Sequence, residues 1–220
     1  MPCCCANPLT CATGRFFSLF ARRYRKRYLR KGLEPSQRQL VAGVERAGVT
    51  GASILEIGSG VGFLHQHLLR QGAGSAIGID MAARMLEEAR VLAAEQGLAD
   101  RVRYHEGDFV ALAPHIEPAD VVLLDKVICC YPDVRQLVPL SFARARRVYA
   151  FTLPRDRLLN RMGVRVMGFF FWLVRSPFRN YVHDPELIDA WLVQAGFRKT
   201  HEAQTLLWLT RAYVRTSAAG

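Results

Sequence analysis

Four short clusters in this 220-residue chain hold residue types that could do chemistry. The first is ILEIGSGVGFL, with glycines at 58, 60 and 62 and Glu56 two residues ahead of them. Glycines let backbone approach a ligand closely and take dihedrals that other residues avoid. A carboxylate facing them repels phosphate but accepts hydrogen bonds from a cationic or hydroxyl-bearing ligand. The second is Asp80, about twenty residues further on, where an acid can accept from both hydroxyls of a ribose. The third is Gly107-Asp108-Phe109, an acceptor for the exocyclic amine of an adenine beside an apolar or stacking wall. The fourth is Asp125-Lys126. Any one of these could be a strand-end cap or a solvated turn. All four at successive strand ends point to a nucleoside site. The dinucleotide spacing Gly-x-Gly-x-x-Gly needs a third glycine where Phe63 stands, and no Lys-Ser/Thr pair follows to make a phosphate-cradling loop.

The elements that must position these clusters alternate. Compact apolar runs at 53–57, 75–80, 101–108, 119–125 and 146–154 read as strands, and ADVVLLD is continuous enough to be buried on both faces. Between them lie helical stretches from Phe63 to Gln71, Ala82 to Gln96 and Val134 to Ala145. A helix from Pro185 to Gln194 precedes two final extended runs, 197–204 and 206–216. Right-handed crossovers then give an α/β, doubly wound sheet with ligands beyond the carboxyl ends of its strands. Ahead of this domain, residues 14–31 read as one helix in which Phe16, Phe20, Tyr24 and Tyr28 share a face. A second helix spans Ser36 to Ala47. The organisation expected is therefore a flexible, cysteine-rich end (1–13), a basic helical arm (14–50) and one domain (51–216) with a basic, aromatic insertion at 155–180.

Half the chain is hydrophobic and 22% is charged, which excludes intrinsic disorder. The formal net charge is +11, and residues 1–50 carry ten Lys/Arg against two Glu. The excess thus belongs to the arm, while the body resembles an ordinary enzyme domain. Cys3, Cys4, Cys5 and Cys11 lack structural-zinc spacing, and Cys129-Cys130 are read as a buried pair of free thiols. No basic-then-apolar leader opens the sequence and its longest nearly apolar run, 162–174, is short for a membrane span, so a cytoplasmic protein is expected.

With these motifs together, the sequence resembles a class I S-adenosylmethionine-dependent methyltransferase over roughly residues 36–216. The resemblance implies a single Rossmann-like domain, a seven-stranded, mostly parallel sheet with an antiparallel last strand, and S-adenosyl-L-methionine as cofactor. It assigns Glu56, Gly58, Gly60 and Gly62 to the methionine half of the cofactor, Asp80 to the ribose, and Met81, Asp108 and Phe109 to the adenine. Asp125 opens the motif nearest the sulfonium. The helical arm, the aliphatic segment leading to Tyr131 and the aromatic insertion are similar to the magnesium-protoporphyrin O-methyltransferase branch.

The segment DKVICCYPD narrows the acceptor. It lacks the Asn/Asp-Pro-Pro-aromatic signature of DNA-base or glutamine methylation and the Pro-Cys order of RNA cytosine-C5 enzymes, and no acidic triad marks a metal site. A small, largely apolar acceptor remains, anionic or neutral, methylated on oxygen or nitrogen. Tyr131, Lys126 and His183 are the catalytic candidates, while His65 and His67 are read as residues of the helix after the glycine loop. The run 162–174, flanked by arginines, is read as a substrate cover, with peripheral membrane contact as its other use. The competing reading is a binding module whose basic arm holds nucleic acid; the intact motifs rank it second. The sequence fixes no oligomeric state.

Overall fold

The structure, a computed structural model, describes residues 8–156 and 180–216, with 162, 163, 166, 168 and 173 between them. Most of the 155–180 insertion and Cys3, Cys4 and Cys5 therefore lie outside the described residues. Strands β1 (Ser53–Ile57), β2 (Ser75–Asp80), β3 (Val102–Glu106), β4 (Ala119–Asp125), β5 (Ala145–Pro154), β6 (Phe197–Gln204) and β7 (Trp208–Arg215) form one sheet in the order β3-β2-β1-β4-β5-β7-β6. The pairs from β3 to β5 are parallel, and β7 runs antiparallel between β5 and β6. This is the doubly wound, mostly parallel sheet expected. Its strand order reverses between β1 and β4, where Ile54, Leu55 and Glu56 pair with Val121, Val122 and Leu123. A crevice for a ligand opens there, past the strand ends.

Burial explains why these segments are strands. Val121 to Leu124 are at most 1% exposed because helices cover both faces of the sheet. Helices α3 (Pro35–Glu45), α4 (Phe63–Arg70) and α5 (Ala83–Glu95) bury Leu40, Val44, Leu64, Leu68 and Leu92 in one cluster with Val121 and Leu123. On the other face, α6 (Phe109–Leu112), α7 (Val134–Ala143) and α8 (Pro185–Gln194) enclose Val122, Leu124, Tyr149 and Phe151. Each fully buried aliphatic side chain here contributes roughly 1.5–3 kcal/mol. Among the described residues, no helix is long and apolar enough to cross a membrane.

One expectation is corrected. Residues 14–31 are not a single helix: α1 runs Pro8–Ser18 and α2 runs Ala21–Lys31, so α1 starts inside the stretch read as a flexible end. At the break, the N–H groups of Leu19 and Phe20 bond three residues back, to Phe16 O and Phe17 O. Packing explains the turn. A Cβ on Gly14 would lie 2.4 Å from the Met81 carbonyl oxygen, so α1 crosses the loop after β2 at a distance only glycine allows. From α2, Tyr28 stacks on Phe63 with ring centroids 4.1 Å apart, and Arg25 pairs with Glu88 and Glu95 of α5. The bend lets the two helices meet these separate surfaces, and the arm closes over the ends of β1, β2 and β4.

Candidate functional site

The glycine loop after β1 forms the floor of a cavity of about 830 Å³. Gly60 has φ +53°, and a Cβ added there would meet nothing within 4 Å, so its bare backbone faces open space. Gly58 has no such room: a Cβ would lie 2.4 Å from the Val127 side chain. Glu56, 3% exposed, reaches the cavity from the middle of β1. Its Oε2 accepts from the backbone N of His65 at 3.0 Å and contacts His65 Nδ1 at 2.6 Å. His65 is on α4 and fully buried, so it buttresses the site's acid rather than lining the cavity.

Asp80 ends β2. Its Oδ2 accepts from Gly60 N at 2.7 Å and its Oδ1 from Ala82 N at 2.8 Å. Burial pushes the carboxyl up to about 6, against the pull of these N–H groups. Met81 lines the cavity beneath α1. Asp108 caps α6 through Val110 N at 3.0 Å, and both its oxygens lie 3.1 Å from the Tyr131 hydroxyl. Burial and the neighbouring Asp108 raise Tyr131 well above an ordinary phenol, so it keeps its proton and donates it to that acid. Phe109, 3% exposed, completes this wall.

The end of β4 meets the arm. Lys126 is the one non-glycine with positive φ (+59°) among the described residues, a strained conformation at a strand end. Its Nζ pairs with Glu34 and stands 5.0 Å from the Trp208 ring. Burial alone would raise Glu34, but Lys126 and Arg27 outweigh it and hold the carboxyl below the usual value. Glu34 and Gln37 form the capping box of α3, with Pro35 following the cap. Gln37 accepts from Glu34 N and donates to Asp125 Oδ2 at 2.9 Å, so the cap of a structural helix also holds an acid of the site. Burial pushes Asp125 up, opposed by Lys126 and Gln37. Among the described residues, its Oδ1 and the Ser59 hydroxyl are buried on the cavity wall without a hydrogen-bond partner.

All the proposed cofactor residues except Gly62 border the cavity, and so do Lys126 and Tyr131. Gly62 starts α4 instead. His183 is absent from the wall; its ring lies 5.9 Å from the Tyr181 ring with Nε2 buried and unpartnered among the described residues, and burial lowers its pKa. Of the thiol pair expected to be buried, Cys129 is buried but Cys130 only half-buried; both are free and border the cavity with their sulfurs 3.7 Å apart. Sequence reasoning missed Glu34 and Gln37, for which Glu-Pro-Ser-Gln at a helix start is a signal. It also missed His65, whose nine-residue separation from Glu56 carries none. Among the described residues, no group of three or more potential metal ligands occurs.

Residues 54–149, from β1 into β5, match a methyltransferase-domain family. An arginine N(omega)-methyltransferase from Streptomyces achromogenes subsp. streptozoticus is 28% identical over 193 residues, 80% of this chain and 54% of that protein. A ubiquinone biosynthesis O-methyltransferase from Psychrobacter cryohalolentis is 32% identical over 96 residues, 43% of this chain and 37% of that protein. The chain thus spans about half the length, or less, of these curated relatives. In fold, it is similar to a magnesium protoporphyrin IX methyltransferase from Synechocystis PCC 6803 with bound S-adenosylhomocysteine, with a TM-score of 0.70, 20% identity and coverage of 93% and 98% of the two chains. A ribosomal protein L11 methylase from Lactobacillus delbrueckii subsp. bulgaricus shares the fold too, with a TM-score of 0.60, 16% identity and coverage of 84% and 81%. So different a pair of acceptors on one fold leaves acceptor choice to the site. The family match over residues 54–149, the sheet order and the acids at successive strand ends liken this chain to the class I S-adenosylmethionine-dependent methyltransferases.

Proposed function

We propose that the chain binds S-adenosylmethionine and directs its methyl group to oxygen or nitrogen of a small, largely apolar, anionic acceptor. The observation carrying this reading is the cavity itself. It joins the motifs ending β1 to β4 and continues under the aromatic underside of the arm, bordered by Phe16, Phe17, Tyr24 and Trp208. Its volume lies toward the upper end of the ~300–1,000 Å³ range of ligand pockets, which favours two molecules side by side. The donor set fits the cofactor: Glu56, Asp80 and Asp125 offer carboxylates to a ligand bearing a sulfonium, an ammonium and ribose hydroxyls. Asp125 Oδ1 and Ser59 Oγ, unpartnered among the described residues, are acceptors such a ligand would satisfy.

When bound, S-adenosylmethionine supplies a methyl group already activated for in-line displacement. What this chain adds is alignment and the exclusion of water. Asp80 accepts from the ribose, with Gly60 N–H holding its carboxylate in place. Asp108 and Phe109 hold the adenine, and Tyr131 fixes Asp108. Lys126, at the junction of β4 and the arm, attracts the acceptor's anionic group, and Trp208 and Tyr24 wall its apolar part. Tyr131 and His183 keep supporting roles, His183 behind the 128–131 turn. Exposed Met162, Val166 and Leu173 support peripheral membrane contact as a route for an apolar acceptor.

Titration calorimetry with S-adenosylmethionine and S-adenosylhomocysteine tests the reading, followed by a metabolite screen with methyl-labelled cofactor. Binding of both, with label passing to a small apolar molecule, is expected. Failure of the folded wild type to bind either refutes the proposal. Steeply salt-dependent binding to RNA without cofactor binding would point to the basic arm instead. Against that outcome, Arg22, Arg25 and Arg27 already pair with Glu88, Glu95 and Glu34 within the chain.

A further inference from the structure

Helix α2, ARRYRKRYLRK, carries more charge than its packing on the domain uses. Ala21 and Tyr28 are buried, and Arg25 turns to Glu88 and Glu95 of α5. At about 100° per residue, Arg23, Lys26 and Arg30 then lie within about 60° of one another on the side opposite Tyr28. All three are exposed, as is Lys31. None of these four has an ion pair or a side-chain hydrogen bond among the described residues, and α2 itself contains no acid. Arg22 and Arg27, on either side of this face, are paired with Glu88 and Glu34.

Aliphatic side chains stand in water beside these charges. Leu29, at the edge of the basic face, is 56% exposed, and Leu19, in the turn before α2, is 74% exposed. Leu206, 70% exposed, tips the turn between β6 and β7, next to Leu207 and Trp208, which border the cavity. Tyr24 and Arg27, on the flank of α2, border it too. Lys126 joins the two rims, since it pairs with Glu34 and stands 5.0 Å from the Trp208 ring. The mouth is thus framed by α2 on one side and the β6–β7 turn on the other. A partner that covers this frame must be anionic where it meets α2 and apolar where it meets the leucines. RNA answers the charges but not the leucines, and the outer face of α2 offers no aromatic ring for a base to stack on. A bilayer with anionic headgroups answers both.

We propose that the outer face of α2 and the β6–β7 turn dock on an anionic lipid bilayer, with the cavity mouth held toward it. The four unpaired basic side chains meet headgroup phosphates, while Leu19, Leu29 and Leu206 enter the interface. An apolar acceptor then passes from lipid to cavity without crossing water. Docking stands apart from the cofactor reading; only the acceptor's route rests on it.

Co-sedimentation of the full chain with vesicles tests the proposal at about 0.1 M salt, where surface charge is partly screened. The probes are phosphatidylcholine vesicles and phosphatidylcholine vesicles containing phosphatidylglycerol. Each Lys or Arg near an anionic surface is worth about fivefold, so the mixed vesicles should bind about 100–1,000 times more tightly. Arg23→Gln, Lys26→Gln and Arg30→Gln combined should lose about 100-fold of that affinity. Leu29→Ser and Leu206→Ser should each lose about tenfold. Val193→Ser should lose none, since Val193 is exposed on α8 and absent from the cavity wall. Urea unfolding near the wild-type midpoint shows that each variant folds. Equal affinity for the two vesicle types, unchanged affinity in the triple glutamine variant, or a loss in Val193→Ser that matches Leu206→Ser would overturn the proposal. So would tighter binding to single-stranded RNA than to vesicles, indifferent to both leucine substitutions. Vesicle binding by a protein that binds neither S-adenosylmethionine nor S-adenosylhomocysteine would uphold docking and refute the cofactor reading.

Discussion

Replacing Asp80 by Asn separates what this acid does for binding from what it costs the fold. Burial lifts its carboxyl from 3.8 to about 6, roughly two units at about 1.4 kcal/mol each. Holding Asp80 ionised in the free protein therefore costs about 3 kcal/mol. The sign follows from linkage. A carboxyl whose folded pKa is raised contributes stability that is fully present below its unfolded value and lost as pH rises through its folded value. The wild type thus loses this contribution between about pH 4 and pH 7, and the Asn variant has none to lose. The stability of Asp80→Asn minus that of wild type should move by about 2 kcal/mol in the variant's favour from pH 4.5 to pH 8. Other titrating groups are common to both proteins and cancel. The amide leaves one of the two N–H groups, Gly60 or Ala82, without its acceptor, a loss of about 1–3 kcal/mol that does not vary with pH. Urea unfolding at four or five pH values measures the difference. Calorimetry on the same samples should show affinity for S-adenosylmethionine reduced about 100-fold or more, since ribose hydroxyls lose a charged acceptor. A stability difference that stays flat with pH would refute the account of Asp80 as a buried, unpaired charge.

Three further outcomes are expected. Gly14→Ala puts a methyl group 2.4 Å from the Met81 carbonyl, so α1 must lift; a loss of about 1–3 kcal/mol in urea should accompany weaker cofactor binding. Tyr104→Phe removes a hydroxyl that bridges His65 and Gln66 and should cost about 1–3 kcal/mol in the same urea titration. Lys126→Met breaks a partly exposed ion pair with Glu34 and should change stability by less than about 1 kcal/mol, while stopped-flow fluorescence should detect faster loss of bound ligand.

The central strands of the sheet were readable because burial defines them. Val121 to Leu124 have apolar neighbours on both faces, so nothing but an apolar run satisfies them. The strand-end acids were readable because a glycine loop and an acid at the next strand end must sit at fixed distances along the chain. Contacts between elements left weaker traces. Tyr131 meets Asp108 across twenty-three residues, and only the sheet order brings them together. Glu56 and His65 meet because the glycine loop folds α4 back onto β1, a geometry that residue types alone do not encode. The break at Leu19 and Phe20 was hidden for another reason: both residues tolerate a helix, and the turn there is imposed by Met81 and α5, which lie more than sixty residues downstream.

The cover over the pocket is built from α1 and α2, which contribute no strand to the sheet. A guest can therefore enter or leave without one rung of the β-ladder being broken. Opening needs the surrender of contacts with Met81, Phe63, Arg70 and α5, and such partial unfolding has a free energy below that of the whole domain. Backbone amides of residues 8–31 should thus trade hydrogen for deuterium by a route closed to those of β1, β4 and β5. A bound molecule should slow that exchange.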